Sequence, residues 1–228
     1  MLTAAHCIPG DNEKHATISG VRLGEWNTNT DPDCQVLRNG VKACADPHLD
    51  VGIEKIHVHP NYQPNTNNEG PFQYNDIALI RLDRNIHFTD FIQPICLPVR
   101  SYQRSKMFDG VALQVAGWGF TETGFKSPVK KKVTVAGFEF ESCRKIYLSK
   151  RRLLKPPQMC AGGEPGEDAC TDDSGGPLIT KQNIDLRDVY VLIGIVSFGS
   201  KYCGTAGLPG VYTGVGGYME WIESLLQP

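Results

Sequence analysis

Apolar residues along this chain come mostly in short runs broken by turn residues. Ala112–Val115, Val133–Val135 and Val189–Val196 are such runs, and each lies between turn signals. Gly and Pro are plentiful, at 24 and 15 residues, and supply the breaks. This pattern predicts an all-β fold. One segment differs: Met219, Ile222, Leu225 and Leu226 recur at helical spacing, so Tyr218–Leu226 is expected to be a helix packed by its apolar stripe. The longest polar stretches, Trp26–Asp50 and Tyr62–Gln73, read as surface loops.

Size and charge narrow the picture. With 228 residues the chain can bury a large core as one large domain or two small ones. Its 23 basic and 25 acidic residues leave a net charge of −2, which gives no reason to expect nucleic acid or an anionic membrane as a partner. No apolar run is long enough to span a bilayer as a helix. The eight cysteines form no Cys-x-x-Cys pair and no zinc-finger spacing, so disulfides and an oxidising compartment are favoured over a metal site. Met1-Leu2-Thr3 carries no basic or apolar leader, and an incomplete chain is the expected explanation.

Three separated segments carry candidate chemistry. They are Leu2-Thr3-Ala4-Ala5-His6-Cys7, then Tyr74-Asn75-Asp76-Ile77-Ala78-Leu79, then Gly166–Pro177 with Asp172-Asp173-Ser174-Gly175-Gly176 at its heart. They supply His, Asp and Ser in one of the chain orders known for a catalytic triad. A serine hydroxyl needs a base within hydrogen-bond reach. An imidazole, with an ordinary pKa near 6.5, suits that role, and a carboxylate can fix its tautomer. Each residue alone has a bland reading: a structural His before Cys, a turn acid, a turn serine.

Taken together, the three motifs resemble the trypsin/chymotrypsin family of serine proteases, nearly end to end. The resemblance implies two six-stranded antiparallel β-barrels with the triad in the cleft between them and a C-terminal helix. Val115–Gly119 and Ile195–Gly199 look like landmarks of the second barrel, and Ile92–Pro98 like the crossing between barrels. The family's strands before the His motif are absent. Residues 1–228 are therefore expected to form one protease domain with a truncated first barrel and no activation site.

By the same resemblance His6, Asp76 and Ser174 are the catalytic residues, and the amides of Asp172 and Ser174 form the oxyanion hole. Asp168, Ser197, Gly199 and Gly210 would bind substrate, with Asp168 at the base of a pocket for Arg or Lys. A solvated loop acid is the alternative for Asp168. Disulfides Cys143–Cys160 and Cys170–Cys203 are implied, while the family partner of Cys7 lies upstream.

Two features depart from the family pattern. Asp172 stands where the family has glycine. A twisted backbone there would lose one oxyanion donor. A retained backbone would instead leave a carboxylate near the developing charge. Like charges ~5 Å apart at an effective dielectric of ~20 repel by ~3 kcal/mol, roughly a hundredfold in rate. Asp173 would ordinarily pair with a freed N-terminus, and it is expected here to lack that partner.

A disulfide loop of Cys34 and Cys44 after Gly24–Asn27, with Cys96 as a tether, resembles the arthropod clip-domain serine proteases. That implies a secreted endopeptidase of an immune or developmental cascade. Its partners would be protein substrates with Arg or Lys at the cleavage site, serpin-type inhibitors, and an N-terminal pro-segment disulfide-linked through Cys96. The alternative is a catalytically weak or inactive homologue acting as a binding cofactor. No cofactor is required. Glu25 and Asn27 match calcium-ligand positions in related loops, and a polar loop without metal explains them equally.

Overall fold

The computed structural model describes residues 1–9, 17–64, 72–121, 125–165, 172–200 and 204–226. Its strands are β1 (Leu2–Thr3), β2 (Val21–Leu23), β3 (Cys34–Val36), β4 (Lys42–Cys44), β5 (Leu49–Val51), β6 (Ile53–Val58) and β7 (Ala78–Leu82) in the N-terminal half. The C-terminal half holds β8 (Ala112–Gly117), β9 (Lys131–Phe138), β10 (Gln158–Ala161), β11 (Pro177–Ile184), β12 (Arg187–Phe198) and β13 (Gly210–Gly214). Helices α1 (Ser101–Arg104), α2 (Phe140–Ser149) and α3 (Met219–Leu225) complete it.

The fold is mostly β with a C-terminal helix, as expected. Six strands close into an antiparallel barrel in the order β10-β13-β12-β11-β8-β9. All three short apolar runs read from the sequence fall inside it, within β8, β9 and β12. Closure leaves no unpaired edge. Leu113, Val115, Val135, Leu178, Val191 and Tyr212 fill the barrel interior. The N-terminal half is different. Among the described residues it forms a three-stranded sheet β1-β7-β6 and the pairs β2-β5 and β3-β4, not a second closed barrel.

Two helices show what sequence patterning gives and withholds. In α3 the apolar stripe buries Met219 and Ile222 against Ala4, Ile77 and Leu79, which ties the C-terminal helix to the elements carrying the His and Asp motifs. The α2 helix was not anticipated. Its N-cap is Glu139, whose carboxylate accepts from the amides of Glu141 at 2.8 Å and Ser142 at 2.6 Å. Cys143 and Tyr147, one turn apart, are fully buried. Cys143 is bonded to Cys160 on β10, and Tyr147 donates its hydroxyl to the Pro209 carbonyl at 2.7 Å.

The segment Trp26–Asp50, read as a loop, contains the β3–β4 hairpin closed by the Cys34–Cys44 disulfide. Cys7 and Cys96 are free thiols, the latter exposed.

Backbone approach decides one barrel glycine. Gly137 on β9 lies so close to the Phe108 carbonyl that a Cβ would overlap its oxygen. Gly137→Val should therefore destabilise the protein by about 3 kcal/mol, the upper end of overpacking effects. The urea midpoint measures this, and a midpoint unchanged from the parent would contradict it.

Candidate active site

His6 sits in a single 3₁₀ turn, Ala5–Cys7, that follows β1. Asp76 lies just before β7, the strand that pairs with β1, so the sheet register brings the two segments together. The contact is double. The His6 amide donates to Asp76 Oδ1 at 2.9 Å, and His6 Nδ1 lies 2.7 Å from Oδ2. A carboxylate bound this way fixes both the ring orientation and the tautomer.

Asp76 is fully buried. Its remaining acceptor capacity is also used: Ser197 donates its hydroxyl to Oδ2 at 2.5 Å. Thr213 on β13 donates to the Asp76 carbonyl at 2.8 Å. Asn75, held at φ 56°, turns the chain into this position, and it is anchored by the Tyr218 hydroxyl at 3.0 Å and the Asn61 carbonyl at 2.7 Å. A buried charge needs this saturation of partners.

The electrostatics of His6 follow. Burial opposes charge on the imidazole, but the hydrogen bonds and Coulomb attraction of Asp76 and Cys7 outweigh it and raise the pKa from 6.5 to about 10.

Ser174 is exposed on the turn that leads into β11. The next residue fixes where that turn lies. Gly175, at φ 78°, donates its amide to the Val196 carbonyl at 2.9 Å. A Cβ there would run into Thr3, Cys7 and Ala4, the segment that carries His6. Only glycine fits between the two motifs. His6 Nε2 faces Cys7 Sγ at 3.8 Å. Among the described residues no hydrogen bond joins His6 to Ser174. Such contacts are commonly long in unliganded sites.

The backbone of Asp172 takes φ 71°, so the glycine-like conformation is kept rather than lost. Among the described residues the amides of Asp172 and Ser174 donate to no backbone carbonyl. The Asp172 carboxylate points outward and pairs with Lys126 Nζ at 2.7 Å. Asp173 Oδ1 accepts from the Gly119 amide at 3.0 Å, while the Met1 ammonium donates to the Ile80 carbonyl at 2.7 Å. The missing side chain of Gly117 makes room for that carboxylate.

Ser197, at the end of β12, joins the Asp76 carboxylate. Gly199 and Gly210 face each other, with a Cβ on Gly199 reaching 3.6 Å from Gly210 Cα. Asp168, Cys170 and Cys203 lie outside the described residues.

With this geometry in hand, the family is decided by comparison. The family model described as Trypsin matches residues 1–222. The chain belongs to the trypsin family. Within it, the chain is 48% identical over 228 residues to "Serine protease ea" of Drosophila melanogaster, covering 100% of this chain and 57% of that protein. It is 43% identical over 230 residues to the "Spaetzle-processing enzyme" of the same fly, covering 100% of this chain and 56% of that protein. It is 45% identical over 229 residues to a CLIP domain-containing serine protease of Bombyx mori, covering 100% of this chain and 59% of that protein. A crystal structure of the Drosophila Grass clip serine protease of the Toll pathway superposes with a TM-score of 0.78 at 33% identity, covering 99% of this chain and 60% of that one. The chain thus spans between half and two thirds of the length of these relatives.

The two residues matched to calcium ligands contact protein groups. Glu25 Oε2 faces Arg22 at 3.4 Å and His48 at 3.9 Å, and Asn27 Oδ1 accepts from the Asn29 amide at 3.2 Å. Among the described residues no cluster of His, Cys, Asp and Glu is arranged to hold a metal. Among them, too, no helix is long and apolar enough to cross a membrane.

Some site residues had no sequence signal. Gln73, at φ 44°, brings Oε1 to 3.4 Å from the Ser197 hydroxyl. Arg152 lies 4.4 Å over the Phe72 ring and 5.8 Å from that of Phe198, beside the substrate-binding candidates Ser197 and Gly199. The left-handed backbone at Gln73 could not be read locally, since Gln is not among the residue types that favour it.

Proposed function

We propose that this chain is the catalytic part of a secreted serine endopeptidase that cleaves after Arg or Lys in an extracellular immune or developmental cascade. The observation that carries the reading is the hydrogen-bonded series from Ser197 through buried Asp76 to His6, with the Ser174 turn packed against the His6 segment at Gly175.

The chemistry follows from these atoms. Ser174 Oγ attacks the scissile carbonyl as His6 Nε2 takes its proton. Asp76 holds the resulting imidazolium through Nδ1–H. The amides of Asp172 and Ser174 donate to the oxyanion. His6 returns its proton to the leaving amine, and water then hydrolyses the acyl-enzyme by the same steps. No cofactor enters. Asp168 would pair with the substrate's Arg or Lys, and Ser197, Gly199 and Gly210 would line its path.

Partners follow from the resemblance and from one exposed thiol. Cys96 is free and exposed, which suits a disulfide to a segment outside this chain. Protein substrates and serpin-type inhibitors would enter at Ser174. The chain names of its relatives, among them a Spaetzle-processing enzyme and a "Melanization protease 1", support a cascade role.

The second reading is a homologue that docks cascade members without catalysis. It draws on Asp172 at the oxyanion turn. An organophosphonate serine probe applied to the full-length, activated protein separates the two. Covalent labelling of Ser174, lost in Ser174→Ala, is expected of the enzyme. Absence of labelling would overturn the enzyme reading.

A further inference from the structure

We propose that Lys126 is a positioning residue for catalysis: it holds the Asp172 carboxylate away from the oxyanion site. This rests on the reading of Asp172 and Ser174 as oxyanion donors. Asp172 keeps φ 71°, so its amide can stay turned inward while its side chain must go somewhere. Asp tolerates this backbone better than most residues because a short polar side chain can bond nearby. A carboxylate left to rotate over its own turn would spend part of its time close to the oxyanion. Lys126 removes that option by pairing with Asp172 Oδ2 at 2.7 Å.

The lysine is itself placed by structure. Phe120 and Lys126 form an antiparallel bridge, and the Ser127 amide donates to the Gly119 carbonyl at 3.3 Å. The ammonium stands 5.9 Å from the centre of the Phe120 ring. Next to this bridge the Gly119 amide donates to Asp173 Oδ1 at 3.0 Å. One element therefore grips both acids that precede Ser174: Asp173 by a backbone amide and Asp172 by an ammonium. Among the described residues the charge paired with Asp172 is Lys126, and the developing oxyanion would lie on the other side. With Lys126 in place, the pair presents no net charge to the oxyanion.

As a stabiliser of the fold this pair counts for little. The two side chains are 64% and 43% exposed, and ion pairs that open to water contribute almost nothing. Its effect belongs to the transition state, where charge develops on the oxyanion. Deleting Lys126 should therefore lower kcat and leave KM and Tm nearly unmoved.

The test is a double-mutant cycle in the full-length, activated protein, read with an Arg-containing reporter peptide. Lys126→Ala is expected to reduce kcat about tenfold, below the ~10²–10³ of a lost oxyanion donor because the donor stays in place. Lys126→Glu should reduce it further, and Lys126→Arg should restore it to within about threefold, since the charge is kept. In an Asp172→Gly background Lys126→Ala should change kcat less than about twofold, because the charge it offsets is gone. The Lys126→Ala defect should also shrink as salt rises from about 0.05 to 0.5 M, since screening weakens an exposed carboxylate. An equal loss in the Asp172→Gly background, or no loss in the parent, overturns the inference while the protease reading stands. If the parent itself neither turns over peptide nor reacts with the organophosphonate, the protease reading fails and this inference falls with it.

Discussion

Asp76→Asn is expected to lower kcat by about 10⁴, the size of effect seen when a triad carboxylate becomes an amide. The reason lies in the hydrogen-bond count. Both Asp76 oxygens accept: Oδ1 from the His6 amide, and Oδ2 from His6 Nδ1 and the Ser197 hydroxyl. An amide has one acceptor oxygen and one NH₂. If the oxygen stays with the His6 amide, the NH₂ faces Nδ1. The ring then carries its proton on Nε2, where a base must be free to accept. The isosteric change preserves the buried volume, so the fold should survive.

The same variant carries a pH signature. Activity requires neutral His6, and Asp76 raises its pKa above the ordinary 6.5, to about 10 together with Cys7. The acid limb of kcat/KM in the parent therefore lies on the alkaline side of 6.5. In Asp76→Asn, with burial unopposed by the carboxylate, that limb should move to lower pH. The check is a kcat/KM profile on both proteins. Activity within tenfold of the parent, or a limb that stays put, would refute this role for Asp76.

Asp168→Ala is the second large effect. The proposed partner of Asp168 is a substrate cation in a pocket with little water. Removing one member of a buried ion pair costs about 3–5 kcal/mol because the other is left uncompensated, which is roughly 10²–10⁴ in kcat/KM. Paired Arg and Phe reporter peptides, otherwise identical, provide the measurement. The parent should prefer Arg strongly, and the variant should lose that preference through the Arg peptide alone. A parent that favours Phe would refute the assignment.

Particular residues show how far sequence reasoning reaches. His6, Asp76 and the Ser174 turn were legible because each sits in a local motif whose residue types suit the chemistry. The structure brings Asp76 onto His6 and packs Gly175 against the His6 segment. Cys143–Cys160 and Cys34–Cys44, both implied by resemblance, are bonded. The α2 helix was missed because its buried face is only Cys143 and Tyr147, too sparse for a clear period. Glu25 and Asn27 matched calcium-ligand positions by residue type, and only the structure showed Arg22 and His48 beside the Glu25 carboxylate. Asp173 was expected to lack an N-terminal ammonium; the Met1 ammonium meets the Ile80 carbonyl, and the Gly119 amide, which no local pattern announced, donates to Asp173.

The sequence alone determined three of the six strand runs of the closed barrel, in β8, β9 and β12, the C-terminal helix, and the identity and order of the candidate triad. These are properties of residue type and short-range spacing. Only the tertiary structure decided that Ser197 reaches Asp76, that Asp172 keeps its left-handed backbone, and that Lys126 meets its carboxylate. Ser197 stands 121 residues from Asp76, so no local pattern encodes their meeting. Long-range contacts exist only once the barrel closes and each side chain settles into the rotamer its neighbours allow.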